Sequence, residues 1–103
     1  MGLFVRAQFW VPAEQVELFQ TLATALVEAS RAEAGCRSYH LCQRPSDGDD
    51  APAQGPGWAL AWLWADQNAF DGHGASAHFQ EYLPQLSALA TDEPLIEVLP
   101  VLL

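Results

Sequence analysis

The chain has 103 residues and a formal net charge of −9, with no lysine among its cations. A surface this acidic repels phosphates, so a nucleic acid partner and an anionic membrane surface are both disfavoured. The sequence has neither a recognisable secretory signal nor an apolar run of roughly 20 residues, the length that spans a bilayer. We therefore expect one cytoplasmic domain over residues 1–103.

The first part of the chain predicts a strand followed by a long helix. Residues 3–11 alternate between apolar and mixed side chains, as in a strand with one dry face. Pro12 ends this strand and suits the first turn of a helix. Apolar residues then recur at steps of three and four over residues 13–34, and Gly35 supplies a stop.

Two further strands are predicted, at residues 36–44 and 58–65. In the first of them, alternation places Cys36, Ser38, His40 and Cys42 on one face of the strand. The opposite face has Arg37, Tyr39, Leu41 and Gln43. On one strand the two cysteines would lie roughly 20 Å apart, beyond disulfide reach, so reduced thiols are expected. Between the strands, residues 45–57 are rich in proline, glycine and aspartate, which predicts a mobile hairpin loop serving as connector or lid.

Two helices are predicted after the third strand. Asp66 is a suitable N-cap for a short helix that ends near Phe70, because the sequence DGHG follows. Ser76 is a suitable N-cap for the next helix, residues 77–90. Pro84 lies inside that helix and is expected to kink or divide it.

The last segment, EPLIEVLPVLL, predicts a fourth strand, in which Pro100 favours an edge position or a bulge. The order β-α-β-β-α-β is that of a ferredoxin-like α+β fold, a four-stranded antiparallel sheet with helices on one face. The opposite face of the sheet then stays uncovered. We therefore expect an obligate homodimer that packs sheet to sheet.

The third strand suggests which face of the sheet meets the helices. Ala59 and Ala61 are small, so they predict the place where helices pack closely, together with Val5, Ala7 and Phe9 of the first strand. The bulky residues of the third strand would then turn to the open face. That face would combine aromatic with polar side chains, namely Trp58, Leu60, Trp62, Trp64, Arg6, Gln8 and Trp10. Such a mixture is typical of a ligand pocket.

Two segments resemble the antibiotic biosynthesis monooxygenase family. EAGCRSYHLCQRP resembles its turn and strand E-x-G-C-x-x-Y, and WLWADQNAFDGHGASAHF resembles its segment W-x-D/S-x-x-A-x-x-x-H-x-x-x-x-H-F. The matching positions of the second segment are Trp64, Asp66, Ala69, His73, His78 and Phe79. The resemblance implies a dimeric α+β barrel with a cavity between sheet and helices. It also implies, for members that are enzymes, oxidation of phenolic or quinol-like aromatics by O₂ without flavin, haem or metal.

The resemblance favours a cofactor-independent monooxygenase that acts on a small aromatic or quinol-like substrate. The candidate catalytic residues are His73, His78 and Trp64, and the candidate substrate-binding residues are Arg6, Gln8, Tyr39 and Trp62. Several of these keep a second interpretation. Arg6 could instead pair with Glu97, and Trp64 and Trp62 could pack in a core or dimer interface. His73 could be a helix-end cap, and His78 could likewise have only a structural role. The alternative function is a non-catalytic small-molecule-binding or structural dimer of the same fold.

One position departs from the family pattern. Many members have Glu two residues before the motif tryptophan, where this chain has Trp62. A carboxylate that could orient a histidine is therefore expected to be missing. No metal site is predicted either, because His73 and His78 lie across a glycine-containing turn and no carboxylate completes a known ligand pattern.

Overall fold

The computed structural model describes residues 2–43, 57–91 and 93–102. The strands are β1 (Leu3–Trp10), β2 (Cys36–Gln43), β3 (Gly57–Trp64) and β4 (Leu95–Pro100). The helices are α1 (Val16–Arg31), which follows a 3-10 turn at Ala13–Gln15, then α2 (Gln67–Gly74) and α3 (Ala77–Leu89). The loop predicted at residues 45–57 lies outside the described residues except for Gly57, the first residue of β3.

The four strands form one antiparallel sheet in the order β2-β3-β1-β4. With the helices in sequence between them, this confirms the ferredoxin-like α+β fold that the order of elements predicted. β1 and β3 occupy the centre, and β4 forms an edge, as Pro100 indicated. Within the described residues, no helix is both long and apolar enough to cross a membrane.

The starts of α2 and α3 agree with the sequence, but three other expectations do not. The α-helix predicted over residues 13–34 is shorter at both ends, since α1 covers Val16–Arg31 after the 3-10 turn. The Asp66 carboxylate accepts the N–H of Ala69 at 2.9 Å, and the Ser76 hydroxyl accepts the N–H of Phe79 at 3.2 Å, so both predicted caps are confirmed. The expected end of α2 near Phe70 is wrong. The helix continues to Gly74, because a glycine inside a helix costs only about 1 kcal/mol and burial of a side chain from the last turn offsets this. Nor is α3 divided at its internal proline.

The predicted orientation of β3 is wrong. Trp58, Trp62 and Trp64 are buried in the hydrophobic core on the helix side of the sheet. In the register, Val5 lies opposite Trp62 and Phe9 lies opposite Trp58. Residues directly opposite on antiparallel strands share a face, so these tryptophans could not turn away from helices that cover Val5 and Phe9. Burial of large indole rings outweighs the closer approach that alanines would permit.

The face without helices therefore has a different composition from the predicted one. Ala59 and Ala61 lie on it, opposite Gln8 and Arg6 of β1. Arg6 forms an ion pair there with Glu97 of β4, the pairing that the sequence left open. The open face thus carries small and polar side chains at its centre rather than three tryptophans.

A bulge near the start of β2 changes the predicted faces of that strand. Cys36 pairs with Trp64, whereas Ser38 pairs with Leu63, so the register shifts between them. The extra residue moves Cys36 to the helix side, where it packs against the core, and its predicted place beside Ser38, His40 and Cys42 is wrong. Cys36 and Cys42 are both free thiols.

Candidate functional site

Four polar side chains meet where the start of β2, the end of α2 and the start of α3 come together. We call them the histidine cluster: Glu33, Tyr39, His73 and His78. One oxygen of Glu33, Oε2, lies 2.7 Å from Nδ1 of His73 and 2.8 Å from Nε2 of His78. On its other side, the His73 ring has Nε2 at 3.4 Å from the Tyr39 hydroxyl. The side chain of His73 is 0 % exposed, against 23 % for His78 and 21 % for Glu33.

Gly35 brings Glu33 to this meeting point. A Cβ atom added at Gly35 would overlap the Cβ of Ala69 in α2 and lie 3.3 Å from its Cα. The glycine therefore permits α2 to approach the chain that precedes β2. The carbonyl of Gly35 also accepts the N–H of Ala65 at 2.9 Å. With both contacts made, Glu33 reaches the last turn of α2, which carries His73.

Ser76 fixes the two histidines relative to each other. Its hydroxyl donates to the carbonyl oxygen of His73 at 2.6 Å and accepts the N–H of Phe79. It therefore closes α2 and caps α3 at the same time. His78 follows in the first turn of α3, facing the same carboxylate.

The hydrogen bonds fit one tautomer of His73. A carboxylate only accepts, so Nδ1 of His73 carries the proton that Glu33 binds. In the neutral ring, Nε2 then has a lone pair that faces the Tyr39 hydroxyl. A carboxylate that holds a histidine in this tautomer is the arrangement by which enzymes orient a general base.

Burial sets the charge of the two buried members of the cluster. It lowers the pKa of His73 below its ordinary value of 6.5, although the hydrogen bond and charge of Glu33 act in the opposite direction. Burial also raises the pKa of the Tyr39 phenol well above its usual range. At pH 7 the cluster therefore contains a neutral imidazole beside a protonated phenol.

Aromatic rings enclose the His73 imidazole. Ring centroids of Trp64, Phe79 and Trp62 lie 4.6, 4.7 and 5.1 Å from that of His73. Tyr39 stacks on Trp62 with centroids 5.1 Å apart and planes within 14° of parallel. The surroundings of Nε2 are thus apolar and aromatic.

Indole N–H groups without acceptors lie in the same core. Among the described residues, Nε1 of Trp58, Trp62 and Trp64 has no hydrogen-bond partner. A buried donor without an acceptor costs about 1–3 kcal/mol, and a buried indole N–H usually has a partner. The rings of Trp62 and Trp64 both contact His73. Two donors that lack acceptors therefore belong to rings in contact with the candidate base.

The structure separates the predicted site residues into two groups. It brings His73, His78, Trp64, Tyr39 and Trp62 together on the helix side of the sheet.

Arg6 and Gln8 lie on the opposite face of the sheet, so they do not join the cluster. With Cys42 and Ala59 of that face they line a groove of about 440 Å³, which also reaches Gln43 at the end of β2 and Trp58 near the start of β3. Their assignment to one pocket with Trp64 followed from the wrong orientation of β3.

Glu33 is the member of the cluster that sequence reasoning missed. The family pattern often has Glu two residues before Trp64, where this chain has Trp62, so the sequence predicts that the carboxylate is missing. Glu33 instead reaches His73 from a point 40 positions away in the chain. The signal was present, since Glu33 is the first residue of the motif EAGCRSY.

The histidine cluster also bears on metal binding. One ligand atom each from Glu33, His73 and His78 lies within 4.8 Å of the others, so a carboxylate does accompany the two histidines. Ligand atoms around one tetrahedral zinc lie about 3.3 Å apart, given bonds of about 2.0–2.1 Å. The distances of 2.7 and 2.8 Å from Glu33 Oε2 are instead those of charge-assisted hydrogen bonds. The geometry therefore fits a hydrogen-bonded network better than a metal centre.

Comparison with known proteins identifies the family. The sequence matches the model of a family described as antibiotic biosynthesis monooxygenase over residues 2–85. The chain belongs to the antibiotic biosynthesis monooxygenase family. The resemblance seen in the two sequence segments is thereby confirmed, and all four members of the histidine cluster lie within the matched residues. A search of curated proteins finds no match.

Solved structures of similar proteins extend this result. Rv0793 from Mycobacterium tuberculosis is 28% identical, with 99% of this chain and 96% of that chain covered and a TM-score of 0.82. A conserved protein from Methanosarcina mazei Go1 is 27% identical, with coverages of 96% and 91% and a TM-score of 0.84. SnoaB from Streptomyces nogalater, a cofactor-independent oxygenase, is 16% identical, with coverages of 97% and 92% and a TM-score of 0.78. At that identity, SnoaB shares the family fold alone.

Proposed function

We propose that the chain is a cofactor-independent monooxygenase that oxidises a small aromatic or quinol-like substrate with O₂. The observation that carries the proposal is the Glu33–His73 pair, which presents an unprotonated Nε2 among aromatic rings. Membership of the family supports it. So does the shared fold of SnoaB, which is itself a cofactor-independent oxygenase.

In such a reaction the substrate is the only reductant. A quinol and O₂ give a hydroxyquinone and water, so every electron that O₂ accepts comes from the substrate. Loss of a phenolic proton makes the ring electron-rich enough to react. His73 would take that proton at Nε2, and the Glu33 carboxylate would stabilise the imidazolium that forms. In the structure the buried Tyr39 hydroxyl lies 3.4 Å from Nε2, so the substrate hydroxyl would have to displace it to reach the base.

The indole N–H groups of Trp62 and Trp64 would bind the substrate oxygen. As the phenol ionises, its oxygen gains negative charge, and donors already fixed beside it stabilise that charge without reorganisation. The sequence suggested Arg6 or Gln8 for this role, but both lie on the other face of the sheet. The two indoles are on the correct face and have no acceptor among the described residues.

A second candidate is a non-catalytic small-molecule-binding or structural protein of the same fold. The observation that favours it is the burial of the cluster, because Tyr39, Trp62, Trp64 and His73 are nearly inaccessible to solvent. Under this interpretation the rings fill the core of the fold, and the indole at position 62 occupies space that a substrate would need.

Oxygen uptake with a panel of hydroquinones and naphthols separates the two candidates. If the chain is an oxygenase, at least one substrate will give enzyme-dependent uptake, and His73→Ala will lower kcat by about 10²- to 10⁴-fold. His40→Ala is the matched control, because His40 is an exposed histidine of β2 outside the cluster. His73→Gln is a second variant that leaves a smaller gap in the core. Circular dichroism shows whether each variant is folded.

The pH dependence of the rate of oxygen uptake gives a second test in the same assay. The unprotonated form of His73 is the active one, and its pKa is lowered by burial, so this form persists below pH 6.5. We expect the rate to hold as the pH falls through 6.5 and to decline only at lower pH. If the wild type and His73→Ala give the same background rate with every substrate, the oxygenase proposal is wrong and the second candidate stands.

A further inference from the structure

Glu33 binds both histidines through one oxygen atom. His73 and His78 lie 2.7 and 2.8 Å from Oε2, and their ring centroids are 5.8 Å apart. One carboxylate carries one negative charge. If both rings were protonated, two positive charges would share that single anion in a site that excludes most water. The second protonation therefore opposes the first.

The two histidines differ in their exposure to water. His73 is 0 % exposed, whereas the His78 side chain is 23 % exposed. A positive charge on His78 keeps part of its hydration and pairs directly with Glu33, whereas a charge on His73 would lose its hydration. The carboxylate is then neutralised, and His73 has lost the anion that would stabilise its own imidazolium.

The remaining groups around the cluster do not replace that anion. Tyr39 faces His73 from β2 with its phenol protonated. The Cys36 thiol is also neutral, because burial raises its pKa and the charge of Glu33 acts in the same direction. Arg31 of α1 is a cation and donates to the backbone oxygen of Tyr39 at 2.9 Å. Among the described residues, Glu33 is the one anion that acts on the pKa of His73.

We propose that His78 is a positioning residue, which keeps His73 unprotonated by competing with it for the Glu33 carboxylate. This assigns the two histidines different roles, whereas the sequence suggested that both handle substrate protons. His73 is the base, and His78 preserves that base as the pH falls. The catalytic use of this competition depends on the proposed oxygenase function, but the competition itself does not.

Nuclear magnetic resonance titration of the ring nitrogens tests the proposal without substrate. In the wild type, the signals of His73 should show two inflections rather than one, because the two rings share one carboxylate oxygen. In His78→Gln, which keeps a neutral donor at this position, the pKa of His73 should rise by about one unit. In Glu33→Gln it should fall, because the stabilising anion is gone. His40→Gln should change neither histidine.

A double variant distinguishes competition from a loosened core. Loosening admits water, so both single variants would move the pKa of His73 upward, toward its ordinary value. Competition instead predicts opposite directions, and it predicts that His78→Gln has little effect once Glu33 is Gln. An equal effect of His78→Gln in both backgrounds overturns the proposal. So does independent titration of the two histidines in the wild type, which needs no variant to fold.

These results do not depend on oxygen uptake. If the histidines are coupled but no substrate is oxidised, the oxygenase proposal fails and the role of His78 in the cluster stands. If oxygen uptake depends on His73 but the two histidines titrate independently, the oxygenase proposal stands and the role proposed for His78 fails.

Discussion

The histidine cluster can assemble because Gly35 has no Cβ atom. The place of this glycine against Ala69 leaves no room for a methyl group. Both residues belong to the family motifs in the sequence, yet they lie in different segments. Their contact holds the start of β2 against α2, and so holds Glu33 against His73. The sequence indicated this glycine as a helix stop, but α1 ends earlier, at Arg31, and the role of the glycine lies at the site.

Gly35→Ala and Gly72→Ala form a matched pair that tests this role. At Gly72 an added Cβ meets no atom within 4 Å, and the residue lies exposed in α2. Gly35→Ala should lower the free energy of unfolding by about 1–3 kcal/mol, because the two segments must move apart. Gly72→Ala should raise it by about 0.5–1 kcal/mol, because alanine favours a helix. Urea denaturation of both variants gives the comparison, and equal stabilities would show that the Gly35 contact is not required.

The site could be predicted from the sequence in part. The motif segments identified His73, His78, Trp64 and Tyr39, because their spacing is visible along the chain. The link through Glu33 could not be read in the same way. It depends on a carboxylate and a histidine that are 40 positions apart, brought together by a contact between two other residues.

At the scale of secondary-structure elements, the alternation of side chains along a strand shows which residues share a face. It does not show which of the two faces of the sheet meets the helices. For β3 the sizes of its alanines and tryptophans suggested the wrong answer. The decision rests on register, since Val5 lies opposite Trp62, and register depends on pairing between distant strands. Arg6 and Gln8 were misassigned through this one error.

The order and type of the elements were predicted correctly, because their signals are local. Pro12 follows the end of β1, and Asp66 and Ser76 cap the two later helices. The end of α2 is not determined by a local signal of this kind. Its last turn passes through two glycines and forms because His73 is buried there.

The continuity of α3 through Pro84 leads to a prediction about that helix. Proline inside a helix removes one hydrogen bond and costs about 3 kcal/mol relative to alanine. Pro84 is exposed, so its ring contributes little to the core. Pro84→Ala should therefore raise the free energy of unfolding by about 2 kcal/mol, after allowing for the greater entropy of the unfolded chain.

Thermal and urea unfolding measure this change, and Gln85→Ala at the next, equally exposed position is the control. A loss of stability in Pro84→Ala would instead mean that α3 needs a bend at this residue to pack Leu86 in the core.

At the scale of the whole molecule, β4 exposes apolar side chains on both faces of the sheet. Leu95 and Leu99 lie on the open face, and Ile96 and Val98 lie on the helix side beyond the cover of the helices. β4 is also an edge strand, with backbone groups available for pairing. An apolar edge of this kind on a protein with net charge −9 is typical of an interface rather than of free surface.

We propose that a second copy of the chain covers this surface, giving the obligate homodimer expected from the sequence. The open face is suited to a matching sheet, because Ala59 and Ala61 at its centre permit close approach. The tryptophans of β3 take no part, since they lie on the other side of the sheet. Stable interfaces bury about 800 Å² on each partner, which an exposed sheet face with an apolar edge strand can provide.

Sedimentation velocity at micromolar concentration tests the homodimer, and two leucines provide a matched pair. Leu99 in β4 and Leu18 in α1 are 47% and 50% exposed, but only Leu99 lies on the proposed interface. Leu99→Glu places a negative charge in the interface, where it would face the same surface of the second copy. This variant should therefore shift the protein to monomer. Leu18→Glu changes the same side chain on a distant helix and should leave the dimer intact. A wild type that sediments as a monomer, or equal dissociation in both variants, would show that β4 and the open face are not the interface.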